Sequence, residues 1–185
     1  MSTGALGHPI DIHGGGDDLI FPHHESEIAQ AEAAGVAPYV RHWTHVAMVN
    51  HEGAKMSKSL GNLVFVRDLV RRVPGAAVRL LLASHHYRQS WTYDDREVDA
   101  AATRHRRYLA AMQGGGTLSH EAAYRHEQRF FERLDDDLDT PGALDELDAI
   151  ASELSSSGAA PGTEGQQLLG RLLGILGAET EAVPA

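Results

Sequence analysis

The pattern of apolar residues changes period once, near Leu63, and that change decides what the chain can build. Before it, residues 9–13 read as a short strand running into the tight loop Gly14-Gly15-Gly16, and Pro22 opens a helix that continues to about Gly35. Residues 42–49, rich in Val, Thr and Trp, read as a second strand, with a polar turn at 50–53. After Leu63, Val66, Leu69 and Val70, then Val78, Leu81 and Leu82, recur at helical spacing. The spacing predicts helices over 75–87, 94–112, 119–136, 141–154 and 163–176, with Gly- and Ser-rich linkers at 113–116 and 155–162. No internal repeat is visible. The expected architecture is α/β: a partial nucleotide-binding fold over residues 1–65, an α-helical bundle over 66–176, and a disordered tail at 177–185.

Composition narrows the function. With 42% hydrophobic residues in 185, the chain has the balance of a soluble globular protein of one core plus a small appendage. No apolar run approaches the roughly 20 residues that span a bilayer, so no membrane partner is expected. The N-terminus lacks a basic and an apolar region of the signal-peptide kind, and a cytoplasmic location is the default expectation. There is no cysteine, which excludes disulfides, thiolate nucleophiles and thiolate metal sites built from this chain. A net charge of -10 argues against a broadly basic nucleic-acid surface. The arginines concentrated between Arg67 and Arg107 read as solvated helix faces.

The most specific string is Lys55-Met56-Ser57-Lys58-Ser59, followed by Leu60-Gly61-Asn62. Two lysines three apart on a Ser/Gly-softened loop can fold over a triphosphate and offset the charge that builds on it in a transition state. His23 and Glu27 stand four apart on the expected helix, so both project from one face. That spacing suits either a metal ion or a plain helix-surface hydrogen bond.

The Lys55–Ser59 string resembles the signature KMSKS loop of the class I aminoacyl-tRNA synthetases. Asp11-Ile12-His13-Gly14-Gly15-Gly16 with Phe21-Pro22-His23-His24-Glu25 resembles the cysteinyl-tRNA synthetase and mycothiol cysteine ligase group within that class. The resemblance is strong over about residues 5–62. It extends more weakly through Asp135-Asp136-Asp137-Leu138-Asp139-Thr140-Pro141 toward residue 176.

The resemblance implies an adenylate-forming ligase that joins ATP, with magnesium, to L-cysteine and then passes the cysteinyl group to an acceptor. Lys55 and Lys58 are the implied catalytic residues. Gly14, Gly15, Gly16, Asp18, Val46, Ser57 and Ser59 are the implied ATP-binding ones, with Asp18 on the ribose hydroxyls and the backbone near Val46 beside the adenine. His13 is implied beside the substrate amino acid. In this family the His and Glu matching His23 and Glu27 complete a zinc site whose other ligands are cysteines, so here the zinc site is expected to be incomplete.

The family's His-x-Gly-His string occurs nowhere in this sequence. Roughly half of the sheet is therefore expected to come from elsewhere, either a separate N-terminal-half protein or a second copy of the chain. The lack of a basic module after the helices, together with Leu63-Val64-Phe65-Val66 and 169–176, points to the mycothiol type. Glu27-Ile28-Ala29-Gln30 points to the tRNA enzyme, and the acceptor, tRNA included, stays open. The rival reading is a non-catalytic paralogue that kept the fold to bind a nucleotide, a tRNA-like element or a protein.

Overall fold

A computed structural model describes residues 2–155 and 164–179. The chain divides into two compact units, Met1–Met56 with Tyr87–Thr92, and Ser57–His86 with Tyr93–Ala185.

In the first unit a short helix α1 (Ser2–Leu6) precedes strand β1 (Ile10–Gly16). Helix α2 (Glu25–Ala33) then crosses to strand β2 (Val40–Val46), which runs parallel to β1 in a β-α-β arrangement. The register pairs Gly14 with Thr44, Gly15 with His45 and Gly16 with Val46. The three glycines are thus strand residues rather than the tight loop expected from the sequence, and none has a positive φ. They are needed for closeness. A Cβ on Gly15 would stand 2.8 Å from Cε1 of His24, and one on Gly16 would stand 2.5 Å from the Asp18 carboxylate and 2.6 Å from the Met48 methyl. The helix expected from Pro22 begins only at Glu25, because Phe21 is extended (φ -137, ψ 135) ahead of Pro22 and splits residues 17–24 into short helical turns.

Strands β3 (Val49–His51) and β4 (Ala54–Lys55) form a hairpin whose turn, Glu52-Gly53, takes φ of 53 and 77. A later two-residue strand, β5 (Trp91–Thr92), joins β3 in parallel, a pairing too short to leave a sequence pattern. The two-stranded β1–β2 sheet leaves Ile12 67% and Phe21 76% exposed, whereas strands of parallel sheets are ordinarily covered on both faces.

The second unit is helical: α3 (Val66–Leu69), α4 (Gly75–Ala83), α5 (Asp95–Gln113), α6 (His120–Asp135), α7 (Thr140–Ser155) and α8 (Glu164–Ile175). The three longest helices, α5, α6 and α7, start where the sequence places a capping oxygen. Asp94 accepts the amide of Arg96 at 2.8 Å, Ser119 that of Ala122 at 3.1 Å, and Asp139 that of Gly142 at 3.0 Å. Their apolar stripes converge on Leu80, Val98, Tyr108, Phe130, Leu144, Leu147, Ile150, Leu169, Leu172 and Leu173, all nearly inaccessible to solvent. Two polar cross-links tie helices together. The Tyr108 hydroxyl donates to Asp148 at 2.7 Å, and the His126 ring lies between Glu146 (3.0 Å) and Glu153 (3.2 Å). Arginines of the basic stretch are largely paired within this unit, Arg72 with Asp95 and both Arg104 and Arg107 with Asp148. Ala178 is buried, while 180–185 and the linker residues 156–163 lie outside the described residues. Among the described residues no helix is long and apolar enough to cross a membrane.

His105 on α5 is buried, and its Nε2 has no hydrogen-bond partner. Burial holds its imidazole below the ordinary value of 6.5, so it is neutral in the folded chain at neutral pH. Below pH 6.5 the unfolded chain binds this proton more readily than the folded one. The contribution is therefore complete above that pH and is lost as pH falls toward the folded value. Urea unfolding of the chain should show a lower midpoint at about pH 5.5 than at about pH 7.5, and His105→Leu should shrink that difference.

Candidate nucleotide site and histidine cluster

Asp18 follows β1 by two residues, and Lys55 ends the β3–β4 hairpin. Lys55 Nζ donates to Asp18 Oδ2 at 2.5 Å. That hydrogen bond, then the lysine's charge against the cost of desolvation, holds the Asp18 carboxyl below its ordinary range. It remains an anion able to accept hydroxyl protons. Gly16 and Val46, neighbours in the β1–β2 register, close the C-terminal ends of those strands, Gly16 two residues before Asp18. The missing side chain at Gly16 leaves room for the Asp18 carboxylate and the Met48 methyl to lie close against the strand.

The Lys/Ser string divides between the units: Lys55 and Met56 belong to the first, Ser57 onward to the second. The second part is folded on itself. Asn62 accepts the amide of Ser57 at 2.9 Å, the hydroxyls of Ser57 and Ser59 are 3.2 Å apart, and Gly61 closes the turn at φ 69.

A second constellation is built around His13, in the middle of β1. His13 stacks on Trp43 at 4.8 Å, and the rings of His13 and His24 are 4.9 Å apart. His24 is buried, and its Nδ1 lies 2.8 Å from Nε2 of His45. Burial, then the nearby charges of His13 and His45, keep the His24 imidazole neutral at neutral pH. Glu27 reaches both His13 (3.5 Å) and His23 (3.8 Å), and its Oε2 is buried without a hydrogen-bond partner. The zinc ligand set implied by the sequence, His23 with Glu27 and cysteines, does not fit this chain by itself. It offers two donors, His23 is 59% exposed, and there is no thiol. Sequence reasoning left Trp43 and His45 out of the site. Their alternation on β2 puts both on the face that carries His13's neighbours, a period-2 pattern visible in His-Trp-Thr-His.

The family model for the class I (C) tRNA synthetase catalytic domain matches residues 1–103. The chain belongs to that family, the cysteinyl-tRNA synthetases. It is 41% identical over 189 aligned positions to the cysteine–tRNA ligase of Pseudomonas paraeruginosa, covering 98% of this chain and 41% of the relative. The cysteine–tRNA ligase of Thioalkalivibrio sulfidiphilus is 42% identical with the same coverage. The chain thus spans about two fifths of the length of these class I relatives. Among solved structures, the LeuRS of Agrobacterium radiobacter in complex with tRNA and LeuAMS superposes with a TM-score of 0.70 at 18% identity, covering 90% of this chain and 26% of that one. The Mycobacterium tuberculosis methionyl-tRNA synthetase with methionyl-adenylate gives 0.54 at 20% identity, covering 92% and 39%. These distant likenesses establish the fold: a partial class I nucleotide-binding domain joined to a helical bundle.

Proposed function

We propose that this chain carries the ribose- and phosphate-binding side of a cysteine-activating, adenylate-forming ligase, with ATP, magnesium and L-cysteine as its small-molecule partners. The observation that carries this reading is the Lys55–Asp18 pair beside the glycine strand end. It joins the residue implied to bind ribose to one of the two implied to neutralise phosphate. When the ribose hydroxyls donate to Asp18, the lysine is released toward the triphosphate. The cysteine carboxylate then attacks the α-phosphorus, the α–β bridging bond breaks, and pyrophosphate leaves with its charge neutralised by Lys55, Lys58 and magnesium. Ser57 and Ser59 shape the loop that carries Lys58, and His13 stands beside the amino acid. We take the acceptor to be tRNA, because the 41–42% identical relatives are cysteine–tRNA ligases rather than mycothiol ligases.

The His-x-Gly-His turn and the thiolate ligands are not in this sequence, so further polypeptide completes the site. The exposed Ile12 and Phe21 beside a two-stranded parallel sheet support a covering segment there, from a first-half polypeptide or a second copy. Calorimetric titration of the purified chain with a sulfamoyl analogue of cysteinyl-adenylate tests the reading. Binding should weaken by about 10–100-fold in Asp18→Ala, the loss expected for hydrogen bonds to a charged group. Equal affinity for the variant would refute the ribose assignment.

A further inference from the structure

We propose that the cavity beside α5 in the helical unit is a binding site for a small zwitterion of the ω-amino carboxylate class, one whose ammonium and carboxylate are separated by an apolar spacer. All its lining residues belong to the second unit and none takes part in the proposed adenylation, so the two readings stand or fall separately. Its volume of about 530 Å³ lies within the range of about 300–1,000 Å³ usual for small-molecule sites. The floor follows from the sequence. Glu97, Ala100, Ala101 and Arg104 recur at i, i+3, i+4 and i+7, so they share one face of α5, and the two alanines leave a hollow between the charged side chains. Leu81 of α4 adds a buried apolar wall.

The two ends of that face carry opposite, incompletely met charge. At one end Asp148 of α7 receives Arg104 Nη2 at 3.0 Å, the Tyr108 hydroxyl at 2.7 Å and Arg107, so a single carboxylate answers two guanidiniums. Arg104 Nη1 donates to Ser84 at 3.1 Å. Each guanidinium has five N–H donors, and both keep donors to spare for an anion. At the other end Glu97 Oε2 is buried without a hydrogen-bond partner, the His85 ring nitrogen standing 3.2 Å away but out of line. An ammonium group would satisfy that oxygen. The two arginines disfavour a simple cation, and the two carboxylates disfavour a polyanion such as a nucleic-acid backbone. Seven helical residues put about 10 Å of rise between Glu97 and Arg104. An α-amino acid, whose two charges share one carbon, spans that distance less well than a longer ω-amino carboxylate.

The test is titration of the isotope-labelled, intact chain with ε-aminocaproate, followed by amide NMR shifts, against caproate, hexylamine and glycine as controls. Saturable shifts at Ser84, Glu97, Ala100 and Thr103 in the millimolar range are expected, with every control binding at least about 10-fold more weakly. Glu97→Gln should lower the affinity for ε-aminocaproate by about 10–100-fold, the loss expected for a contact to a charged group. Ala100→Leu, at an exposed position on the floor, should abolish binding by filling the hollow without touching a charge. Each variant is checked for a cooperative melt like that of the parent. Absence of saturable shifts, a control that binds as tightly as ε-aminocaproate, or undiminished affinity in a folded Glu97→Gln or Ala100→Leu would overturn the assignment.

Discussion

Lys58→Ala should lower cysteine-dependent ATP–pyrophosphate exchange by about 10²–10³-fold in an assembly that contains this chain and a first-half polypeptide with the His-x-Gly-His turn. The effect is large because the reaction asks little of the protein besides position and charge. The departing pyrophosphate gains negative charge as the α–β bond breaks, and a lysine that meets it only then contributes to the rate rather than to binding. KM for ATP should accordingly move much less than kcat. The chain holds the two lysines differently. Lys55 is engaged by Asp18 through a 2.5 Å bond at the hairpin end, whereas Lys58 follows Ser57 on a turn closed by Asn62 and Gly61. Lys55→Ala should therefore also disturb nucleotide affinity, through Asp18. A Lys58→Ala enzyme with unchanged kcat would remove the Lys/Ser string from the chemistry.

Phe130→Ala should destabilise the helical unit by about 3–5 kcal/mol, a large part of the 5–15 kcal/mol typical of a whole domain. The Phe130 side chain is completely buried on α6 and meets Phe131 edge-on at 5.6 Å. α6 packs against both α7 and α8, on which Leu147, Ile150, Leu169 and Leu172 are themselves inaccessible. Removing the ring leaves a cavity that three rigid helices cannot close. Urea unfolding followed by far-ultraviolet circular dichroism measures the loss, and a change below about 1 kcal/mol would mean that the interface repacks freely.

The longest helices were legible in the sequence because each carries both an apolar period and a cap. Residues 94–112 were expected for α5, which spans Asp95–Gln113, and 119–136 for α6, which spans His120–Asp135. Asp94 and Ser119 mark these starts chemically, through side-chain oxygens that accept otherwise unpaired amides. The first unit was harder. Gly14-Gly15-Gly16 looks like a turn because glycine tolerates any backbone angle, yet here it is a strand kept bare by His24, Asp18 and Met48 pressing on it. That pressure comes from residues up to 32 positions away, and no local pattern encodes it. β5 escaped for the same reason: two residues, Trp91-Thr92, become a strand only because β3 lies alongside. The site divides similarly. The Lys/Ser string and Asp18 could be named from local spelling, whereas the partnership of Lys55 with Asp18 and the gathering of His13, His24 and Glu27 depend on β1, β2 and α2 being packed together. Helical spacing drew attention to His23 and Glu27, four apart. The kink at Phe21 and the turn of α2 instead bring His24 inward beside His13.

The central claim, that this chain bears one side of a shared cysteine-adenylation site, is tested most directly by measuring cysteine-dependent ATP–pyrophosphate exchange for the purified chain alone and for the chain mixed with the N-terminal half of a cysteine–tRNA ligase relative. The account predicts background exchange for the chain alone and cysteine-dependent exchange for the mixture that is lost when Lys58→Ala replaces the parent chain. Exchange by the chain alone that disappears in Lys58→Ala, or a mixture whose activity ignores that substitution, would contradict it.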